Sequence, residues 1–130
     1  MSSLSEYEIH CSIVEYLQLT LPPDAVLHHS PNEGRHNVAF RAKQKRLGMQ
    51  AGWPDLELLV PRRHWKHEVE QQPIFFEVKS RKGHQSKPQR KVAERLQAVG
   101  AHYFVVRSID EVAEALLGKL KLSILMPSQW

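Results

Sequence analysis

Two apolar runs decide what this chain can become. Residues 55–60 read Asp-Leu-Glu-Leu-Leu-Val, and residues 74–80 read Ile-Phe-Phe-Glu-Val-Lys-Ser. Both are short, rich in branched and aromatic side chains, and bounded by Pro or polar residues, which is the pattern of a buried strand. Alternation in the second run puts Phe75, Glu77 and Lys79 on one face and Ile74, Phe76 and Val78 on the other. A strand this apolar, with two opposite charges side by side, needs a reason. The two runs can pair as a long hairpin across 62–72, a polar stretch read as an exposed connection.

The rest of the chain arranges itself around that hairpin. A helix is predicted over 4–19, where Ile9, Ile13 and Leu17 recur at helical spacing and Pro22-Pro23 ends the run. A short strand follows at 25–30, closed by the turn signal Pro31-Asn32-Glu33-Gly34. Helices are predicted over 37–48, with Gly48 as its stop, and over 88–99, with Pro88 near its start and Gly100 at its end. A strand at 102–108 and a helix at 109–120 complete the order α-β-α-β-β-α-β-α. A crossover from the hairpin to the strand at 102–107 places it parallel to a neighbour. The expected class is therefore α/β, a mixed central sheet flanked by helices.

The chain has 130 residues and a hydrophobic fraction of 42%, enough for one compact domain with a core. One domain is expected over 1–130, with 119–130 a possible dimer or docking tail carrying Leu122, Ile124, Leu125, Met126 and Trp130. Cys11 is the only cysteine; an intrachain disulfide framework is excluded, and a reducing, cytoplasmic compartment is expected. No apolar run reaches membrane-spanning length. Lys and Arg outnumber Asp and Glu by 18 to 14, and the pI of about 9.4 permits an anionic partner without demanding one.

Four polar residues fall where apolar ones would serve. Asp55 opens its strand directly after Gly52-Trp53-Pro54, and Glu77 lies on the strand that can be its neighbour. Two adjacent carboxylates repel unless something cationic compensates. Mg²⁺ does so, usually on one or two carboxylates plus waters and phosphate oxygens. Glu6 falls on the stripe of Ile9, Ile13 and Leu17, and Gln89 on that of Val92, Ala93 and Leu96. Each residue alone has a plainer reading: an ion pair on a solvated face, a Pro-Asp turn, a favourable charge at a helix N-terminus, a partly exposed amide. Together they form a two-carboxylate-plus-lysine constellation suited to metal-assisted phosphodiester hydrolysis. Lys79 would orient or help deprotonate the water, or stabilise the charge of the transition state.

Three basic clusters accompany it. Arg41, Lys43, Lys45 and Arg46 share one predicted helix, Arg62, Arg63 and Lys66 lie in the hairpin connection, and Arg81, Lys82, Lys87, Arg90 and Lys91 follow Lys79. Charge runs are usually solvated faces. The last cluster adjoins the candidate site, so Arg81, Lys82 and Lys87 are candidate phosphate contacts, with Arg41 and Lys45 beside them. Few aromatics interleave, which favours backbone and shape recognition over single-strand stacking. His64 and His67 lack a second ligand pair and read as a surface loop.

Gly52-Trp53-Pro54-Asp55-Leu56 followed by Phe76-Glu77-Val78-Lys79 resembles the GxPDL…ExK signature of the PD-(D/E)xK nuclease superfamily, and more closely its VRR-NUC (virus-type replication-repair nuclease) domain. The opening SEYEIHCSIVEYL resembles that family's first helix, with its glutamate at Glu6. The stretch from Lys82 to Ser108 resembles its loop, Gln-bearing helix and strand, with the glutamine at Gln89. The resemblance covers about residues 5 to 115 of the chain. It implies a restriction-endonuclease-like αβββαβ core and a Mg²⁺- or Mn²⁺-dependent nuclease. Asp55, Glu77 and the Val78 carbonyl would hold metal, with Glu6 contributing directly or through water. Lys79 would be the catalytic lysine and Gln89 a supporting residue. Stand-alone members look like homodimeric endonucleases for branched DNA, including four-way (Holliday) junctions, which fits a role in DNA repair. Two features depart from the pattern: the Pro31–Gly34 turn carries an extra acid, and Trp53 is bulky at the variable position. The alternatives are a non-catalytic DNA-binding module and a nuclease subunit that needs a partner.

Overall fold

The computed structural model describes residues 3–30 and 37–124. The Pro31–Gly34 turn and residues 125–130 of the expected tail lie outside the described residues. Helix α1 spans Glu6–Thr20, β1 Val26–His29, α2 Val38–Arg46, β2 Leu56–Leu59, β3 Ile74–Val78, α3 Lys87–Ala98, β4 His102–Val106 and α4 Ile109–Ala113; α4 continues as a π-helical turn over Glu114–Lys119. The four strands form one sheet in the order β1-β2-β3-β4. The first two pairings are antiparallel and β3–β4 is parallel. This is the mixed α/β sheet expected, in the expected element order.

The sheet's two faces are built differently. One face presents Leu56, Leu58, Ile74, Phe76, Val78 and Val106 to the buried stripe of α1 (Ile9, Ile13, Tyr16, Leu17) and to Val112, Ala115 and Leu116. This is the hydrophobic core. Ser5 caps α1 in a capping box with Glu8, which satisfies two N-terminal backbone donors. The other face carries Glu57, Phe75 and Glu77, and the buried Val92 and Ala93 of α3 lie on that side.

One expectation needs correction. The connection 62–72 is not wholly exposed: Trp65 is buried in the core and its indole donates to the Val60 carbonyl at 2.9 Å. Polar composition hid it, because one large anchor suffices to pin a long loop. Both of its arginines are also occupied. Arg62 donates to the Lys66, His67 and Val69 carbonyls, and Arg63 and His64 pair with Asp24. In the described part of the possible dimer or docking tail, Leu122 is buried and Ile124 is partly buried against the same core. A backbone bond from Ser123 to the His64 carbonyl holds this segment down. No helix among the described residues is long and apolar enough to cross a membrane.

Candidate active site

The β2–β3 register sets the centre. Leu56 stands opposite Phe76 and Glu57 opposite Phe75. One step further along that antiparallel register, Asp55 falls opposite Glu77, the position where like charges destabilise a sheet. The strands do not continue with a backbone bond there. The Val78 N–H instead donates to Asp55 Oδ2 at 2.7 Å. The backbone of Asp55 is held from the other side: the Ser30 N–H and His29 Nδ1 reach its carbonyl oxygen at 3.1 and 2.9 Å. Asp55 is thus fixed through both its side chain and its main chain.

Glu77 is 1% exposed. Its Oε2 accepts from Gln89 Nε2 at 3.0 Å and lies 3.5 Å from Lys79 Nζ. Its Oε1 is buried without a hydrogen-bond partner among the described residues. An unmatched buried carboxylate oxygen is costly. Burial, then the charge of Asp55, pushes the Glu77 carboxyl up to about 8, against an opposing pull from Lys79. Near neutral pH this pair must share either a proton or a cation. Lys79 is buried too, at 9% exposure, and its N–H extends the β3–β4 ladder by donating to Val106.

Gln89 reaches Glu77 because it is the second half of a helix cap. Its N–H donates to Ser86 Oγ, and its side-chain oxygen accepts from the Ser86 N–H at 2.8 Å. That leaves the amide's NH₂ for Glu77. Gly52 completes the seat. It has φ +86°, and a Cβ there would fall 2.5 to 2.7 Å from backbone atoms of Pro88 and Gln89. Only glycine lets the Gly52-Trp53-Pro54 turn lie against the first turn of α3. Trp53 sets its ring edge-on to Phe75, with centroids 5.5 Å apart.

The loop after Lys79 is tied at three points. Arg107 donates to the Gly83 carbonyl, Arg90 to the Gln85 carbonyl, and the Gln85 amide to the Tyr103 hydroxyl. Burial and the nearby charge of Glu77 push the Tyr103 phenol upward. Arg81, Lys82 and Lys87, the candidate phosphate contacts, are exposed along this loop.

Asp55, Glu77, Lys79, Val78 and Gln89 therefore come together, and Glu6 does not join them. Glu6 is exposed; the buried stripe of α1 begins a turn later, at Ile9. Angular alignment placed it on the inward stripe, but in this first turn no neighbouring element covers it. Among the described residues no group of three His, Cys, Asp or Glu side chains is close enough to hold a metal. Asp55 and Glu77 remain the pair that could, and two carboxylates are what Mg²⁺ commonly takes from a protein. The orphaned Glu77 Oε1 and the opposed charges fit such an ion. Arg41 and Lys45 lie exposed on α2. The sequence reading missed Ser86 and Gly52. Ser86-x-x-Gln89 was legible as a capping box, whereas the contact of Gly52 depends on how two distant segments meet.

No family model matches the sequence, and no curated protein does. A solved structure described as a VRR_NUC domain protein matches with a TM-score of 0.65, covering 88% of this chain and 87% of that one, at 22% identity. That likeness gives the chain the restriction-endonuclease-like mixed α/β fold of a VRR-NUC domain.

Proposed function

We propose that this chain is a VRR-NUC-family nuclease: a divalent-metal-dependent DNA endonuclease that cuts branched DNA, four-way junctions included, as a homodimer. The observation that carries the reading is the Asp55–Glu77 pair, opposed across β2 and β3 with a buried, unpartnered Glu77 oxygen and an ammonium beside it. Asp55, Glu77 and the Val78 carbonyl would hold Mg²⁺ or Mn²⁺. The ion supplies Lewis acidity to the scissile phosphate and a water of lowered pKa. Gln89 holds Oε2 of the Glu77 carboxylate, which would leave Oε1 to take the ion. Lys79 orients the attacking water or stabilises charge on the phosphoryl oxygens. Arg81, Lys82 and Lys87 hold flanking phosphates. A dimer sets two such sites against DNA of two-fold symmetry.

The test is cleavage of end-labelled single strand, duplex, flap and four-way junction DNA by wild type and Lys79→Ala, with Mg²⁺, Mn²⁺ or EDTA. Cutting that needs metal and disappears in the variant supports the reading, and the preferred substrate names the class. Binding without cutting would favour a non-catalytic module or a subunit that needs a partner. Sedimentation that stays monomeric at every concentration would remove the homodimer.

A further inference from the structure

Helix α2 is the anomaly of this fold, because none of its residues is buried. A surface helix normally gains its stability from a packed apolar stripe. Here Leu47 is 81% exposed, and Val38 and Met49 are exposed nearby. The helix is also uniformly basic. No acidic residue occurs between Glu33 and Asp55.

Between α2 and α3 lies a cleft of about 590 Å³, with Arg41 and Lys45 on one wall and Arg95 on the other. Toward the start of α3 it runs into a hollow of about 330 Å³ lined by Lys87, Lys91 and Arg95. Those three recur every fourth residue and so form one row along α3. On the side of β1 the cleft opens to a shelf of about 480 Å³ that includes Leu47, Met49 and Trp53. Gln50 lines all three spaces, and none has an acidic residue among the described residues that line it. The row ends at Pro88 and Gln89, where Gly52 presses in and the Gln89 amide meets Glu77.

A second copy of α2 would bring like charges together, so the face calls for a polyanion. Paired bases would leave the apolar shelf unused, whereas unstacked bases can lie on aromatic and apolar side chains. Spaces of this size suit a ligand of small-molecule bulk, a nucleotide or two rather than a duplex. The sequence run lacks interleaved aromatics, but the fold brings Trp53 to it from the turn before Asp55. We propose that this groove holds a single strand of nucleic acid leaving a branch point, with phosphates on Arg41, Lys45, Lys91 and Arg95 and a base on the shelf. This deepens the nuclease reading and rests on it for the neighbouring scissile site.

Fluorescence anisotropy in EDTA tests it without catalysis. The probes are a blunt duplex, the same duplex with a splayed single-stranded arm, and an oligothymidine. The splayed and single-stranded probes should bind more tightly than the blunt duplex. Arg41→Ala/Lys45→Ala and Lys91→Ala/Arg95→Ala should each weaken single-strand binding and flatten its log–log salt slope by about 1.4. Leu47→Ser/Met49→Ser should lose roughly fivefold to a hundredfold on the splayed and single-stranded probes and leave the duplex alone. All six residues are exposed, so these changes spare the core. Equal affinity for all three probes, or a shelf variant that weakens duplex equally, would overturn the groove as a single-strand site. Intact binding and Lys79-dependent cutting with unaltered groove variants would overturn it alone. Wild type that binds no nucleic acid would sink the nuclease reading as well.

Discussion

All five residues of β3 are buried, yet its two sides do opposite work. Ile74, Phe76 and Val78 meet α1 and α4 across apolar contacts. Phe75 and Glu77 face a side where Trp53 and Gln89 are the neighbours. Burial therefore does not separate structure from function here; the chemistry of the neighbours does. On one side the side chains pack into one apolar cluster. On the other a carboxylate oxygen is buried without a hydrogen-bond partner among the described residues, a cost that a fold retains where it serves a site.

Substitutions that break this contrast should differ in kind as well as size. Phe76→Ala, on the core side, is expected to cost about 3–5 kcal/mol in denaturant unfolding, with any loss of activity following the unfolded fraction. Lys79→Ala, on the other side, should lower cleavage by about a hundredfold to a thousandfold while the unfolding midpoint moves little; a fall in both together would mean that Lys79 is structural. Gln89→Ala removes the clamp on Glu77 and is expected to cost about tenfold to a hundredfold in activity or metal affinity. Part of its stability loss should come from the cap, and Gln89→Glu would separate the two, because Glu keeps the capping box but faces Glu77 with a like charge. Cleavage that survives Gln89→Glu would contradict the clamp.

The finest contrast is in pH. The Glu77 carboxyl is raised from 4.5 to about 8 in the folded chain. The folded state thus binds this proton more tightly than the unfolded one. Its contribution is complete below about 4.5 and is lost as pH rises through about 8. Metal-free protein should melt at lower temperature as pH climbs across that window, and Glu77→Gln should flatten the trend. A melting temperature that rises with pH there would show that Glu77 is ionised without its cation.

Much of this was legible before any coordinates. Pattern placed the helices and strands, because α1 buries a regular stripe and β3 is a short apolar run buried throughout, and the Gly52–Leu56 and Glu77–Lys79 signatures pointed to the β2–β3 junction. Three things were not legible. Glu6 lies in helical phase with Ile13, but phase does not say whether another element reaches that far along the helix. Trp65 is a lone anchor in a polar loop, and a lone anchor has no period. Helix α2 has the sequence of a surface helix, yet its lack of any buried residue is a property of the assembly. The clamp fell between these cases: Ser86 and Gln89 were readable as a cap, while their reach to Glu77 depended on Gly52.

The most direct measurement is a calorimetric titration of Mn²⁺ into wild type, Asp55→Asn and Glu77→Gln, run at pH 7 in two buffers of different ionisation enthalpy. Wild type should bind saturably and release protons, since the ion displaces the one that Glu77 otherwise holds, and both variants should lose binding by a hundredfold or so. No binding by wild type, or equal binding by all three, would contradict a metal site at Asp55 and Glu77.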